Sequence, residues 1–394
     1  MKSFFLTFLI LSSAWGQDSK VPEATLTRLS KLYPDQSLEF IKERLNNAPT
    51  EFNKWRSFPP YYYEMIKRSE VSNLFKKRLG LCAGDPHLEN FGYIFESKDK
   101  SLFTLNDLDD VTECSLDMDL MRLFIGQKIL RPELKAEAFL TNYKNGLAGK
   151  SCPAPDFIKS LEADSLKKGR GLSKKNKALL DSMTCTGEYA PLTESERLML
   201  NEFIQDENLT ASCQKHGVLK ADVHAMAKKF SGPESQEIAH ACSRTKDSGG
   251  SAGGKRFVIF RKSTLGVVDA FELKPLSKAA PDFDLSVSDA KREEVFVQAV
   301  KTYLGPSMRD FYYPVRLQNK LYQRRPLWAG NAAVKAEDFE KSLESQKEDV
   351  MLFESCKLGG LHARSNPGAF EISLKDWEKA SSALEAQFRS EFGQ

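Results

Sequence analysis

Apolar positions recur at helical spacing through residues 22–80. Leu38, Ile41 and Leu45 share one face, and Val71, Leu74, Phe75 and Leu79 share another. Phe58-Pro59-Pro60 interrupts this stretch. The pattern then changes: Phe91 to Phe95 and Leu102 to Leu105 are short apolar runs around a Lys/Ser/Asp turn, which predicts a β-hairpin. Residues 115–147 return to helical periodicity, and 151–245 read as mixed and mostly helical, with a glycine-punctuated basic loop (Lys167, Lys168, Arg170, Lys174, Lys175, Lys177). A second β-rich region begins near residue 249. A glycine run, Gly249 to Gly254, precedes a strand from Arg256 to Arg261, a turn at Thr264-Leu265-Gly266 and a strand from Val267 to Lys274. Residues 289–304 predict a helix with Val295, Phe296, Ala299, Val300 and Tyr303 inside. A turn around Asn319 joins two more short strands, and the C-terminus is helical from about 336.

Composition adds class and compartment. The 394 residues carry 57 Lys+Arg against 54 Asp+Glu, with 41% hydrophobic residues, an ordinary globular balance. A net charge of +3 argues against a dedicated nucleic-acid binder. Met1-Lys2-Ser3, the apolar run Phe4 to Leu11 and Ala14-Trp15-Gly16 read as a signal peptide over 1–16, cut before Gln17. The expectation is a secreted or periplasmic protein without stable membrane insertion, since no later segment has the apolar length to span a bilayer. Seven cysteines are scattered without metal-ligand spacing. Export permits disulfides, and Cys152, Cys185, Cys213 and Cys242 crowd the middle of the chain, where one or two bridges are expected.

The sharpest chemistry lies in Gly84-Asp85-Pro86-His87-Leu88-Glu89-Asn90, a loop that runs into the hairpin. Asn106-Asp107-Leu108-Asp109-Asp110 follows at the hairpin's end. Phosphoryl transfer needs one carboxylate to orient the nucleophile's hydroxyl. It also needs an amide and a second carboxylate to hold Mg²⁺ on the nucleotide phosphates. The order matches the Asp-x-x-x-x-Asn catalytic loop and metal Asp of kinases. Asp85 is then the base, Asn90 and Asp107 are metal ligands, Asp109 is a second metal contact, and His87 is a structural hydrogen-bonder. The other half of such a site is a glycine loop (Gly250, Ser251, Gly253), a lysine on a following strand (Lys274) and a helix glutamate paired with it. Glu294 is favoured for that role, with Glu293 close behind. The two halves occur in reverse of the usual kinase order, so the expected fold is α+β: a kinase-like two-lobed fold with circularly permuted motifs. Its boundaries fall at 17–245 for a helical lobe, 246–330 for a small antiparallel β lobe and 331–394 for C-terminal helices. Asp119 and Arg122 form a surface pair or brace the catalytic loop. His362 and Arg364 sit at a helix end near the site. Lys301, Arg316, Arg324 and Arg325 read as structural or solvated.

GDPHLENFG, NDLDD and DMDLMRL, followed by GGSAGGKRFVIF, FELKP, TYLG, LYQRRPL and GGLHARS, resemble the motifs of the bacterial domain-of-unknown-function 2252 family in the same order. The resemblance runs through about residues 55–370. It implies a relative of the protein-kinase-like and aminoglycoside-phosphotransferase-like folds, binding ATP with Mg²⁺ or Mn²⁺. It also favours Asp119 and Arg122 as braces of the catalytic loop. Leu108 departs from the family's usual aromatic. The expected activity is phosphoryl transfer to an unidentified acceptor. The alternatives are AMP transfer by the same side chains, a non-catalytic nucleotide binder, and a metallophosphoesterase opening on Asp85-x-His87.

Overall fold

The computed structural model describes residues 21–32, 37–46, 48–216, 236–245, 254–263, 268–282 and 286–392. The expected signal peptide therefore lies outside the described residues, as do Gly250, Ser251 and Gly253. The helical spacing near the N-terminus forms α1 (Glu23–Leu32), α2 (Leu38–Asn46), α3 (Glu51–Ser57) and α4 (Pro59–Arg68). The Thr50 side chain caps α3 by accepting from the Asn53 N–H. Phe58 separates α3 from α4, and Pro59 and Pro60 open α4 where a missing N–H costs nothing. The expected helical face through Leu79 does not form. Glu70–Phe75 is a 3₁₀ segment, and Leu79, 62% exposed, begins strand β1 (Leu79–Cys82). Pairing decides this: β1 lies antiparallel to β4 (Thr112–Ser115), and a Cys82–Cys114 disulfide joins them.

The expected hairpin is β2 (Phe91–Ser97) with β3 (Lys100–Leu105), Phe91 facing Leu105. A two-residue strand far along the chain, Ala332–Ala333, adds to its edge at Gly92. A Cβ on Gly92 would lie 2.3 Å from the Ala332 carbonyl oxygen, so no side chain fits there. Behind the hairpin stand α5 (Leu116–Leu130) and α6 (Ala136–Leu147). Helix α5 is buried on nearly all sides, as expected of a helix at the centre of a core.

The basic stretch is not one loop. Lys167 and Lys168 end α7 (Asp156–Lys168), and Lys174, Lys175 and Lys177 lie in α8 (Lys174–Ser182). The described residues then give β5 (Tyr189–Pro191), α9 (Glu194–His216), β6 (Gln236–Thr245), β7 (Lys255–Ser263), β8 (Val268–Pro275), α10 (Asp289–Ala299), β9 (Tyr313–Leu317) and β10 (Lys320–Pro326). The strands form one antiparallel sheet in the order β5-β6-β7-β8-β10-β9. Two of its strands precede residue 246, so the expected boundary there cuts through hydrogen-bonded ladders. Strand alternation gives the sheet two faces. Phe257, Ile259, Phe271 and Leu273 pack under α9 with Leu200 and Ile204. The opposite face carries Arg256, Val258, Ala270, Glu272 and Lys274. The chain ends in α11 (Ala336–Lys341), α12 (Glu344–Ser365) and α13 (Leu374–Phe392), whose apolar faces join the large core with α4 to α6. The protein is thus α+β with antiparallel sheets.

Three disulfides are present among the described residues: Cys82–Cys114, Cys152–Cys356 and Cys185–Cys242. Only the last joins two of the mid-chain cysteines. Cys152 pairs instead with Cys356, because α12 packs alongside α6 and brings that residue close. Among the described residues no helix is long and apolar enough to cross a membrane.

Candidate functional site

The loop between β1 and β2 is held from several sides. The Asp119 carboxylate, fully buried on α5, accepts the backbone N–H groups of Ala83 (2.7 Å) and Gly84 (2.9 Å). Tyr63 donates to the Gly84 carbonyl at 2.7 Å, Ser365 accepts from the Leu81 N–H at 2.9 Å, and Tyr303 donates to the Leu81 carbonyl. Gly84 has φ +77°, and a Cβ there would lie 1.9 Å from the Asp110 carbonyl oxygen, so glycine lets the loop pass tight against the acidic segment.

His362 lies within the last turns of α12, fully buried. Its Nε2 is 3.1 Å from Asp119, and its Nδ1 is 2.7 Å from the Tyr143 hydroxyl. Arg78 donates to that hydroxyl and to Asp117. One assignment satisfies both ring nitrogens: Tyr143 donates to Nδ1, and Nε2–H donates to Asp119. Burial keeps the imidazole neutral by lowering its pKa. Arg364 points elsewhere and donates to the Thr302 carbonyl at 3.0 Å.

Asp119 and Arg122 do not pair with each other. Arg122, fully buried and set over the Trp55 and Tyr62 rings, donates to Asp85 Oδ1 through Nε at 2.8 Å and through a second nitrogen. Burial pushes the Asp85 carboxyl up to about 6 even against Arg122. That value suits a base working near neutral pH. His87 is buried, with Nε2 3.6 Å from Asp85 Oδ2 and no hydrogen-bond partner for Nδ1. Burial holds its pKa well below the ordinary value. Asn90 donates to the Asp85 backbone carbonyl at 2.9 Å.

At the end of the hairpin, Asn106 ties the acidic segment to the loop through the Glu89 and Phe91 carbonyls. Lys274, 1% exposed, reaches across from β8. Its Nζ is 2.7 and 2.6 Å from the two Asp107 oxygens and 2.6 Å from Asp109 Oδ2. Burial opposes ionisation of Asp107, yet Lys274 and Arg325 hold its carboxyl well below the usual range. Asp109 moves the other way: burial and the neighbouring Asp107 charge push it up to about 7. Asp110 rises to about 6 through burial and Asp85, and it accepts the Ala280 N–H at 2.7 Å.

The expected lysine–glutamate pair is absent. Glu294 is exposed and pairs with Lys291, while Glu293 pairs with Arg316. The helical repeat explains this. Arg292, Val295, Phe296 and Ala299 share the buried face of α10, which leaves 293 and 294 off it. Arg292 comes to the site instead and donates to the Asp109 and Val111 carbonyls. Arg325, expected to be structural or solvated, lies 3.7 Å from Asp107 and is paired to Glu272 at 2.6 Å. It lies directly opposite Glu272 in the β8–β10 register, as Gln323 lies opposite Lys274. The Gln323 amide nitrogen is buried without a partner. Arg56, on α3, is paired to Glu89 inside the loop. Sequence offered no sign of Arg56, because long-range charge pairing leaves no periodic signature, whereas Arg292 stands one turn before Val295 and Phe296 on a face whose spacing is visible in the sequence.

Asp107 and Asp109, brought together on Lys274, and the side-chain oxygen of Asn90 in the neighbouring loop are hard oxygen ligands of the kind Mg²⁺ takes. Lys274, Arg325 and the unpartnered Gln323 amide stand beside them as hydrogen-bond donors for phosphate or base. These residues therefore fit a magnesium nucleotide.

Residues 75–136 match a family model described as uncharacterized protein conserved in bacteria (DUF2252), and the stretch contains Asp85, Asn90, Asp107, Asp109, Asp119 and Arg122. No curated protein and no solved structure matches the chain.

Proposed function

We propose that the protein is a Mg²⁺·ATP-dependent phosphotransferase with a kinase-like site assembled from motifs in permuted order. The observation that carries this reading is the contact of Lys274 with both Asp107 and Asp109, made between segments 167 residues apart. The small sheet supports it. Strand, glycine-rich segment, strand, lysine-bearing strand and helix follow one another as the phosphate-gripping half of a kinase requires.

In this reading Asp107, Asp109 and Asn90 hold Mg²⁺, and Lys274 and Arg325 neutralise the nucleotide phosphates. Bound Mg²⁺·ATP supplies the transferable phosphoryl group. Asp85 accepts the proton of an acceptor hydroxyl, and Arg122 fixes the orientation of its carboxylate. Asp119 and His362 hold the loop that carries Asp85. The three disulfides support a protein matured in an oxidising compartment. AMP transfer would use the same side chains.

One observation favours a second reading, a nucleotide binder without turnover: α10 brings an arginine to the site where a kinase brings a glutamate. A metallophosphoesterase is disfavoured. His87 meets the Asp85 carboxylate at 3.6 Å and no second histidine among the described residues, and His240 and His362 serve other contacts. The test is a thermal-shift screen of nucleotides with Mg²⁺ and Mn²⁺, under oxidising and reducing conditions. A specific ligand of the native state raises the melting temperature by mass action. A rise for ATP that is lost in Asp107→Ala supports the proposal; no nucleotide-dependent rise in any condition refutes it.

A further inference from the structure

The sheet face that carries Lys274 has a charged half and an apolar half. Glu272 and Lys274 meet Arg325 and the acidic segment. Val258, Phe260 and Ala270 lie on the same face by strand alternation, and they are covered. They form a buried cluster with Leu179 of α8 and with Tyr189, and Leu172 packs against it. The chain's own residues 169–189 therefore occupy the apolar surface beside Lys274. The segment is fixed at both ends. Near its start, Ala329 and Gly330 donate their backbone N–H groups to the Gly171 and Gly169 carbonyls, each at 2.7 Å. Near its end, Cys185 is bonded to Cys242 on β6. A nucleotide whose phosphates reach Lys274 needs an apolar surface for its base on this same face. Base and segment cannot both have it.

We propose that residues 169–189 form a plug over the nucleotide site, latched by Cys185–Cys242 and released by small thiol reductants. This rests on the phosphotransferase reading above. The latch has a chemical feature of its own. His240 Nε2 lies 3.2 Å from Cys242 Sγ and 3.8 Å from Cys185 Sγ. Neither of the other two bridges shows an imidazole contact among the described residues. Cys185 is half-buried and Cys242 fully buried, so an incoming thiolate attacks the Cys185 sulfur. The S–S bond breaks, a mixed disulfide forms at Cys185, and Cys242 departs as a thiolate beside the imidazole. A second thiol attacks the mixed disulfide and frees Cys185. Two thiols become one external disulfide, and their two electrons and two protons pass to the protein cysteines. The arrangement matches the sites' chemistry to compartment: the bridge persists where oxidants dominate and ATP is scarce, and opens where thiols and ATP occur together.

The test is a fluorescence titration with the magnesium complex of a fluorescent ATP analogue, on the full chain in four forms. These are oxidised wild type, wild type reduced until Cys185 and Cys242 are alkylatable, Cys185→Ser/Cys242→Ser, and Leu179→Asp with the bridge intact. The three opened forms should bind at least about tenfold tighter than oxidised wild type, a coupling of ordinary allosteric size. Cys152→Ser/Cys356→Ser should show no gain. If oxidised wild type and the opened forms bind equally well, the plug is wrong and the phosphotransferase reading stands. If no form binds while circular dichroism shows native folding, both fall.

Discussion

Replacing Lys274 by methionine removes one cation from between two carboxylates. The ammonium makes three contacts of 2.6–2.7 Å with Asp107 and Asp109 and is almost completely buried, while its partners stay 23% and 17% exposed. Removing one member of a buried ion pair costs about 3–5 kcal/mol, and the partial exposure of the carboxylates places this case near 3 kcal/mol. The loss should depend on pH. Without Lys274, Asp109 relieves the repulsion from Asp107 by taking up a proton, which its elevated pKa of about 7 already favours. Lys274 itself lowers that pKa, so its removal raises it further, and between the two values, where the variant is protonated and the wild type is not, each pH unit of acidification returns up to about 1.4 kcal/mol. Urea unfolding followed by tryptophan fluorescence should therefore show the variant weakened by about 3 kcal/mol at pH 8, and by roughly 1–2 kcal/mol less than that at pH 6. Millimolar Mg²⁺ at pH 8 should restore part of the difference, because a divalent ion replaces the missing charge. A loss under about 1 kcal/mol, equal at both pH values, would refute the reasoning.

Other outcomes follow from the same geometry. Asp85→Asn should leave nucleotide binding within about twofold and lower turnover about 10²–10⁴-fold, the usual worth of a positioned base. Wild-type turnover should fall on the acid side of pH 6, as Asp85 takes up a proton. His362→Phe strips Asp119 of one donor and should cost about 1–3 kcal/mol, with turnover falling more than nucleotide affinity; His362→Gln should recover part of the turnover. Asp109 carries a proton in the native state that the unfolded chain releases near its ordinary value of 3.8. Native protein binds more protons between pH 3.8 and about 7, so stability falls as pH rises through that window. Asp109→Asn should flatten that decline, as measured by urea midpoints from pH 4 to 8.

The hairpin of residues 91–105 was legible because its alternation and turn are local. So were the α5 and α6 helices, and the loop that sets Asp85 beside Asn90. Lys274 was legible as a site residue because a lysine on such a strand needs a counter-charge or a phosphate, but the partner expected for it was a helix glutamate, not the acidic segment that it meets. What escaped the sequence depends on which distant surfaces meet. Leu79 reads as a helical residue, but pairing with β4 makes it a strand. Glu293 and Glu294 look like natural partners for Lys274, yet the register of α10 turns Arg292 inward instead. Arg325 reads as structural or solvated until the β8–β10 register sets it against Glu272 beside the acidic segment. Cys152 looks like a mid-chain cysteine, and only the packing of α12 on α6 supplies Cys356. The sheet's two upstream strands lie across a stretch whose helical periodicity masks them.

The most direct measurement is the uptake of Mn²⁺ from solution in the presence of ATP, read as loss of the free-ion electron paramagnetic resonance signal, with reduced full-length protein. Wild type should remove one ATP-dependent Mn²⁺ per chain, and Asp107→Ala should remove none. Equal uptake by both, or none by either when folded, would contradict the assignment of Asp107, Asp109 and Lys274 to one nucleotide site.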